Sequence, residues 1–154
     1  MPQMNKGGKY VFGWSEIKDD LTISVPEMAV NEYRIADDSK IFLISGSKKT
    51  GGFCVTDKKL LINSKLKHIL EDNEKLREYK LESGEFIKYK GRLYCWVPFD
   101  KGIIQLNNRV LDELSLKIGD KLLSIRSSDI AFTLGVKGPL IEKAHSYNGK
   151  IELY

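Results

Sequence analysis

The sequence predicts a mainly β protein of the α+β class, in which two tandem repeats form one β-barrel with pseudo-twofold symmetry. The first observation is that residues 21–55 align without a gap with residues 102–136, so that Ile23 falls on Ile104. The second is that both segments have the same order of patterns: a strand, a short amphipathic helix, a corner and two strands. Self-similarity at a fixed offset indicates a duplicated unit. The third is that apolar positions coincide, as in the pairs Val25/Leu106, Ala29/Val110, Val30/Leu111, Tyr33/Leu114, Ile35/Leu116, Ile41/Leu122, Phe42/Leu123 and Phe53/Leu134.

The predicted repeats extend beyond the aligned segments. We assign residues 9–62 to the first repeat, residues 63–84 to a bridging helix and residues 85–154 to the second repeat. Each repeat has too few strands to bury both faces of a sheet, and 154 residues is the size of one ordinary domain. We therefore expect a single structural unit, a closed barrel to which both repeats contribute strands.

In the first repeat, a polar tail over residues 1–8 is followed by two apolar segments that predict the strands of a hairpin. Pro26 occupies the first position of a short helix whose apolar residues are spaced at i, i+1 and i+4. The predicted elements are strands over 10–14 and 21–25 around a corner at 18–20, a helix over 26–33, a corner at 37–39 and a strand over 40–45.

The segment between residues 46 and 55 is rich in glycine and contains Lys48 and Lys49. Its spacing does not match a P-loop, which needs Lys-Ser/Thr directly after its last glycine and then a helix, whereas residues 53–55 have the pattern of a strand. One interpretation is a hairpin loop that only connects two strands. The other is an anion-binding loop, in which backbone N–H groups act together with Lys48 and Lys49.

After residue 63 the apolar spacing changes from that of a strand to that of a helix. Residues 65–79 contain no Gly or Pro, their apolar residues lie near one helical face, and Ser64 is placed to cap the N-terminus. The charges of this segment are mixed, as on a solvated helix face. We predict one bridging helix here and a shorter helix over residues 139–145.

The second repeat has clear turn residues. Lys90 and Gly91 separate two strand patterns, which predicts a tight hairpin. Gly119 and Asp120 mark a corner, where we expect the Asp side chain to bond its own backbone. The predicted elements are strands over 86–89, 93–97, 103–106, 121–126 and 130–136, a helix over 108–114, and a closing strand over 151–153 after a turn at 148–149.

The composition is that of a soluble globular protein with a modest excess of positive charge. Hydrophobic residues make up 42% of the chain, and no apolar run approaches the roughly 20 residues of a membrane helix. The N-terminus lacks the apolar stretch of a signal peptide, so we expect a cytoplasmic protein. The net charge of +4 permits an anionic partner without requiring one. Cys54 and Cys95 are expected to be free thiols that pack as small hydrophobic residues.

No set of residues in the sequence points to catalysis. His68 and His145 lie far apart in helical segments outside the repeated core, and we expect each to be a surface or capping residue. The motifs HExxH, CxxC and GxSxG, which mark metalloproteases, redox sites and serine nucleophiles, do not occur. We therefore expect a protein that is not an enzyme and that uses no cofactor or metal ion.

Each repeat contains parts of the motif pattern of a known fold family. The second repeat has, in order, the strand residues Ile104 and Leu106, a helix ending in Leu114-Ser115-Leu116, and the corner Gly119-Asp120. The first repeat has Pro26 directly after its strand. This order resembles the core of the AbrB/MazE/SpoVT swapped-hairpin family, whose members have a strand, Pro, a short helix, Leu-Gly-Ile and Gly-Asp.

The resemblance implies a swapped-hairpin barrel, which two chains of the family complete by exchanging hairpins. Because both repeats lie in one chain here, we expect a monomer or a weak dimer. The resemblance also implies DNA binding through basic residues on loops and strand ends. Family members often have Arg just after the Pro position, where this chain has no Arg at residues 30–31 and 111–112, so we expect contacts mainly to the DNA backbone. The candidate DNA-binding residues are Lys18, Lys48, Lys49, Lys101, Arg109 and Arg126.

Two functions therefore remain open from the sequence. The first is an AbrB-like DNA-binding transcriptional regulator with backbone-directed contacts. The second is a non-catalytic β-barrel module that binds a protein partner or a small ligand, in which duplication replaced dimerisation and the DNA surface was lost. The salt dependence of any DNA affinity separates them, because each phosphate contact steepens it.

Overall fold

The computed structural model describes residues 4–6, 9–35, 39–147 and 151–154. The predicted turn at residues 148–149 and residues 37–38 of the predicted corner lie outside these ranges. Within the predicted polar tail, residues 4–6 form a strand that pairs with residues 9–11.

Ten strands within the described ranges form one sheet, and every pairing between them is antiparallel. Apart from the strand at residues 4–6, which falls in the predicted polar tail, they lie in the segments whose apolar patterns predict strands. The strands are β1 (Met4–Lys6), β2 (Lys9–Glu16), β3 (Thr22–Ser24), β4 (Ser39–Ser45), β5 (Phe53–Thr56), β6 (Ile87–Tyr89), β7 (Arg92–Asp100), β8 (Ile103–Gln105), β9 (Lys121–Arg126) and β10 (Phe132–Gly135).

Six short helices connect these strands in the described part of the chain. Two of them begin at a polar side chain that accepts a backbone N–H bond: Asp57 accepts from Leu60 N at 2.8 Å, and Asn107 accepts from Val110 N at 3.1 Å. Within the described ranges, no helix is long and apolar enough to span a membrane. The helices are α1 (Glu27–Tyr33), α2 (Lys58–Ile62), α3 (His68–Glu71), α4 (Glu74–Arg77), α5 (Asn108–Leu114) and α6 (Pro139–His145).

The sheet curves into a nearly closed eight-stranded barrel. Its strand order is β2-β9-β10-β5-β4-β7-β8-β3, with β1 added beyond β2 and β6 paired with β7. The two ends of this order meet at the hairpin between β2 and β3, where Lys18 N donates to Thr22 O at 2.9 Å. The prediction of a mainly β fold built around one barrel is therefore confirmed at this level.

The interior of the barrel is filled by side chains from both halves of the chain. Phe132 of β10 is fully buried, and its ring lies 6.4 Å from that of Phe12 and 5.2 Å from that of Tyr33. Helices α1 and α5 contribute Ala29 and Val110 to the same core. The first and second halves of the sequence therefore share one hydrophobic core.

Two further apolar clusters lie outside the barrel. The segment from α2 to α4 packs Leu61, Ile69 and Leu76 against Phe42 of β4 and Tyr94 of β7. Helix α6 and strands β2 and β9 form the other cluster, whose buried members are Val11, Leu123, Ile125, Ile141 and Ala144. These clusters cover two parts of the barrel's outer surface. The strands beneath them therefore have apolar side chains on both sides.

The C-terminal residues lie along the edge of β2. Leu153 forms a parallel bridge with Trp14, and Trp14 N donates to Glu152 O at 2.8 Å. The predicted closing strand over 151–153 is thus present as a single bridge. The indole ring of Trp14 also packs against the ring of His145 at 4.9 Å, which ties the end of α6 to the same strand.

Several predicted elements are found as expected. Helices α5 and α6 have the predicted bounds. Helix α1 begins at Glu27, one residue later than predicted, so Pro26 is its N-cap residue and not its first helical residue. Lys90 and Gly91 form the tight turn between β6 and β7, and both have positive φ angles, 49° and 83°. Asp120 accepts a bond from Lys117 N at 3.0 Å, so its side chain caps the local backbone as expected.

The prediction of one bridging helix over 65–79 is wrong. The segment forms α3 and α4 instead, and Ser64 ends α2 by donating to Leu61 O while accepting from Leu66 N at 3.0 Å. Asn73 interrupts the second half, because its side chain donates to Ile69 O at 2.7 Å. Polar side chains that bond nearby backbone groups compete with the helix, so the segment follows the curved outer face in short turns.

Two buried serines give a matched test of barrel packing. Ser15 donates from Oγ to Ser24 O at 2.7 Å, whereas Ser124 Oγ has no hydrogen-bond partner within the described part of the chain. Both residues are 0% exposed. We expect Ser15→Ala to lower the free energy of unfolding by about 1 kcal/mol, and Ser124→Ala to leave it unchanged or raise it by up to about 1 kcal/mol.

Urea denaturation of the two variants and the parent protein measures this difference. A loss of stability in Ser124→Ala equal to that in Ser15→Ala would contradict the prediction.

Candidate nucleic-acid interface

The loop between β4 and β5 is fixed to the chain that follows β10. The carbonyl oxygen of Thr50 accepts hydrogen bonds from Val136 N at 2.8 Å and from Lys137 N at 3.1 Å. Within the loop, Gly46 N donates to Gly52 O at 3.0 Å. These bonds hold the exposed residues Lys48 and Lys49 next to the exposed Lys137.

Glycine is required where this loop meets β10. Gly52 has a φ angle of +62°, and a Cβ atom at this position would lie 1.9 Å from the carbonyl oxygen of Leu134. A Cβ atom on Gly46 would lie 2.0 Å from the carbonyl oxygen of Gly51. The glycine-rich composition therefore permits a close approach of backbone to backbone, which places the lysines.

A cavity of about 260 Å³ lies between this loop, the end of β9 and the start of α6. We call it the basic groove. Its apolar wall includes the buried residues Ile125 and Ile141. Its cationic residues are Lys49, Arg126 and Lys137, of which Arg126 is half-buried and the two lysines are exposed.

Helix α1 holds the β9 end of the groove in place. Arg126 Nη1 lies 2.8 Å from Glu32 Oε1, so the charge of Arg126 is already partly balanced. Tyr33 donates from Oη to Ser128 O at 2.6 Å, and burial raises the pKa of this phenol above its usual value. Arg126 therefore acts as a structural ion-pair partner, and the lysines supply most of the groove's uncompensated charge.

The other three candidate residues lie elsewhere. Lys18 Nζ donates to Ser24 Oγ at 3.0 Å, and Lys18 shares a surface depression with three carboxylates, Glu16, Asp19 and Asp20. Arg109 lies 3.4 Å from Glu82 in an ion pair. Lys101 lies in the turn between β7 and β8, at a separate cavity. Of the six candidates, the groove brings together Lys49 and Arg126, with Lys48 adjacent to them along the loop.

The loop uses several of its own backbone donors. Gly51 N and Thr50 N donate to Ser47 O at 2.8 and 3.3 Å, and Gly46 N donates to Gly52 O. These three N–H groups are directed inward and are not presented to a bound anion. An anion bound at this loop would therefore contact lysine side chains and not a set of free backbone N–H groups.

Sequence reasoning missed Lys137 as a site residue. It follows β10 directly, and only the pairing of Thr50 with residues 136–137 brings it to the lysines of the first half. A signal was present, because Lys137 stands just before Gly138 and Pro139 at the predicted start of α6. A turn residue between a strand and a helix is a common place for an exposed functional cation.

His68 has a hydrogen-bond partner, and Cys95 is buried. His68 Nδ1 lies 3.0 Å from Tyr89 Oη, which donates to Asp72 Oδ2 at 2.5 Å. This bond to Asp72, together with desolvation, raises the pKa of Tyr89 to about 12. Cys95 is buried in the barrel core, and burial raises the pKa of its thiol. In the described part of the chain, no three His, Cys, Asp or Glu side chains come together as a metal site requires.

A comparison with protein-family models, with curated proteins and with solved structures gives no significant match.

Proposed function

We propose that this chain is a DNA-binding transcriptional regulator whose barrel arose by tandem duplication of a swapped-hairpin-like unit of the AbrB type, and that it contacts the DNA backbone. The observation on which this rests is that two exposed lysines, Lys49 and Lys137, line the basic groove and that a third, Lys48, is adjacent to Lys49 in the same loop. A cluster of exposed cations on loops at the edge of a sheet can contact several phosphates of a DNA backbone.

The pattern of strand pairing supports the pseudo-twofold part of the proposal. A twofold axis that exchanges the repeats would map the β3–β8 and β5–β10 pairings onto themselves, and Ile23 lies opposite Ile104 in the first of these. The same axis would exchange the β2–β9 pairing with the β7–β4 pairing. A barrel of this kind has both halves in one chain, which supports a monomer or a weak dimer.

The chemistry of the groove favours contacts that do not read sequence. Lysine is a point charge on a flexible stem and lacks the planar fork with which Arg reads guanine. Arg126 has that fork, but its guanidinium is paired with Glu32. We therefore propose similar affinity for unrelated sequences, with a dissociation constant of about 10⁻⁴ to 10⁻⁶ M at physiological salt, as is typical of non-specific binding.

The test is binding to several unrelated DNA duplexes over a range of salt concentrations. We expect the curves to superimpose, and the triple variant Lys48→Ala, Lys49→Ala, Lys137→Ala to weaken all of them alike. The slope of log affinity against log salt should become shallower by about 0.9 for each phosphate contact that is lost, or about 3 in all.

The control removes the same charge from another face. Lys65, Lys67 and Lys75 are exposed residues of the α2–α4 segment, and replacing all three with alanine should leave the slope unchanged. An equal loss of DNA affinity in both triple variants would show that only net charge matters. It would contradict binding at the basic groove. Absence of binding even at low salt would favour the other function, a module for a protein or small-ligand partner.

A further inference from the structure

A second cavity, of about 510 Å³, lies between the N-terminal half of α1 and the turn that joins β7 to β8. Its walls include the apolar side chains of Val25, Val30, Ile35 and Phe99. Two charged residues of the lining, Glu27 and Lys101, are exposed. The cavity is thus apolar along its walls and has one charge of each sign toward the solvent.

The surroundings of this cavity have a counterpart in the other half of the barrel. Val25 N donates to Gly102 O at 2.8 Å, and in the corresponding place Leu106 N donates to Leu21 O at 2.8 Å. Gly102 and Leu21 both have positive φ angles, 79° and 65°. The two places have the same backbone arrangement, so their side chains can be compared directly.

The side chains at the counterpart are longer than those at the cavity. Gln105 donates from Nε2 to Leu106 O at 2.9 Å and to Asp20 O at 3.1 Å, and the side chain of Leu21 packs against the barrel core. At the cavity, Ser24 stands in the place of Gln105, and Gly102 stands in the place of Leu21. Two side chains that are present in one half of the barrel are therefore shorter or missing at the cavity.

We propose that this cavity binds a small apolar α-amino acid, with the ligand's side chain against Val25 and Phe99, its carboxylate at Lys101 and its ammonium group at Glu27. An α-amino acid has both charges on one carbon and an apolar group beyond it, which matches an apolar cavity with charges of both signs at its opening. Ligand pockets of about 300–1,000 Å³ are typical of small-molecule sites. This inference does not depend on DNA binding, because it uses a different surface.

The experiment is isothermal titration calorimetry of the full chain with L-leucine and with L-phenylalanine. We expect one site per chain with micromolar to millimolar affinity. Two analogues of leucine test the charges: 4-methylpentanoate lacks the ammonium group and 3-methylbutylamine lacks the carboxylate, and both should bind at least about fivefold more weakly. Absence of binding by both amino acids, or equal binding of leucine and 4-methylpentanoate, would overturn the assignment.

Two variants test the charged residues without altering the fold. Lys101→Asn places Asn-Gly in a two-residue hairpin turn, the dipeptide that such turns favour, so the hairpin is retained while the charge is lost. Glu27→Gln keeps the size of the side chain. Each variant should weaken leucine binding by about fivefold or more, and unchanged affinity in both would overturn the proposed orientation.

A third variant fills the cavity with the side chain that its counterpart has. Ser24→Gln should abolish leucine binding while the thermal unfolding temperature stays close to that of the parent protein. Ser146→Gln, at the exposed end of α6, is the matched control and should bind leucine normally. Normal binding by Ser24→Gln would place the ligand elsewhere and overturn the proposal.

Discussion

Replacing Phe132 with alanine is expected to lower the free energy of unfolding by about 3–5 kcal/mol, the usual effect of deleting a buried aromatic ring. Phe132 has no exposed surface, and its ring packs on those of Phe12 and Tyr33, which belong to the first half of the chain. Interiors are close-packed, so the space left by the ring cannot fill without moving both halves. We therefore expect a single cooperative unfolding transition, with its midpoint at a lower urea concentration than in the parent protein.

Urea denaturation, followed by tryptophan fluorescence and by far-UV circular dichroism, measures the effect. Phe86→Ala is the control, since Phe86 is only half-buried against the same core, and its loss should cost clearly less. Two separate transitions in Phe132→Ala, with only one of them shifted, would contradict the single unit that we predict for residues 9–154.

Local patterns in the sequence predict the elements that local bonds determine. Helix α5 has its predicted bounds because Asn107 caps its first turn and Ser115 takes the left-handed conformation after its last residue. The turn at Lys90 and Gly91 follows from positive φ angles that Gly adopts freely. In both places the structure is decided within a few residues, so the sequence alone suffices.

The bridging segment could not be predicted in the same way. Its apolar spacing fits one long helix, but the side chains of Ser64 and Asn73 bond nearby backbone carbonyls. Ile69 and Leu76 pack against residues of β4 and β7. Packing against β4 and β7 therefore overrides the helical period. Lys40 of β4 lies 5.2 Å from the centroid of the Tyr79 ring, so this cation helps to hold the segment to the barrel. Lys58 of α2 lies 5.3 Å from the same centroid.

The candidate site could be predicted only in part. Lys48 and Lys49 are visible in the sequence because they interrupt a glycine-rich loop. Lys137 joins them through a backbone contact at Thr50, which no pattern near Lys137 reveals. The neighbours of Lys18 and Arg109 likewise depend on the fold, because Arg109 meets Glu82 from a distant part of the chain.

Gly52→Ala is expected to lower the free energy of unfolding by about 2–4 kcal/mol and to weaken DNA binding at the same time. A φ angle of +62° is strained for alanine, which costs about 1 kcal/mol or more. The added Cβ atom would also lie 1.9 Å from Leu134 O, so the loop or β10 must move, at a further cost of about 1–3 kcal/mol. The movement would shift Lys48 and Lys49 away from Lys137.

Gly91→Ala separates the two contributions. Gly91 has a φ angle of +83°, but a Cβ atom there would meet no atom within 4 Å, so this variant adds backbone strain without a clash. We expect it to cost about 1 kcal/mol and to leave DNA binding unchanged. Urea denaturation gives the stabilities, and duplex titrations at constant low salt give the affinities.

Equal stability loss in the two variants would show that the β4–β5 loop does not approach β10 as closely as the structure indicates. Normal DNA binding by a destabilised Gly52→Ala would show that the three lysines need not be held together, because binding would then survive the displacement of the loop that positions two of them.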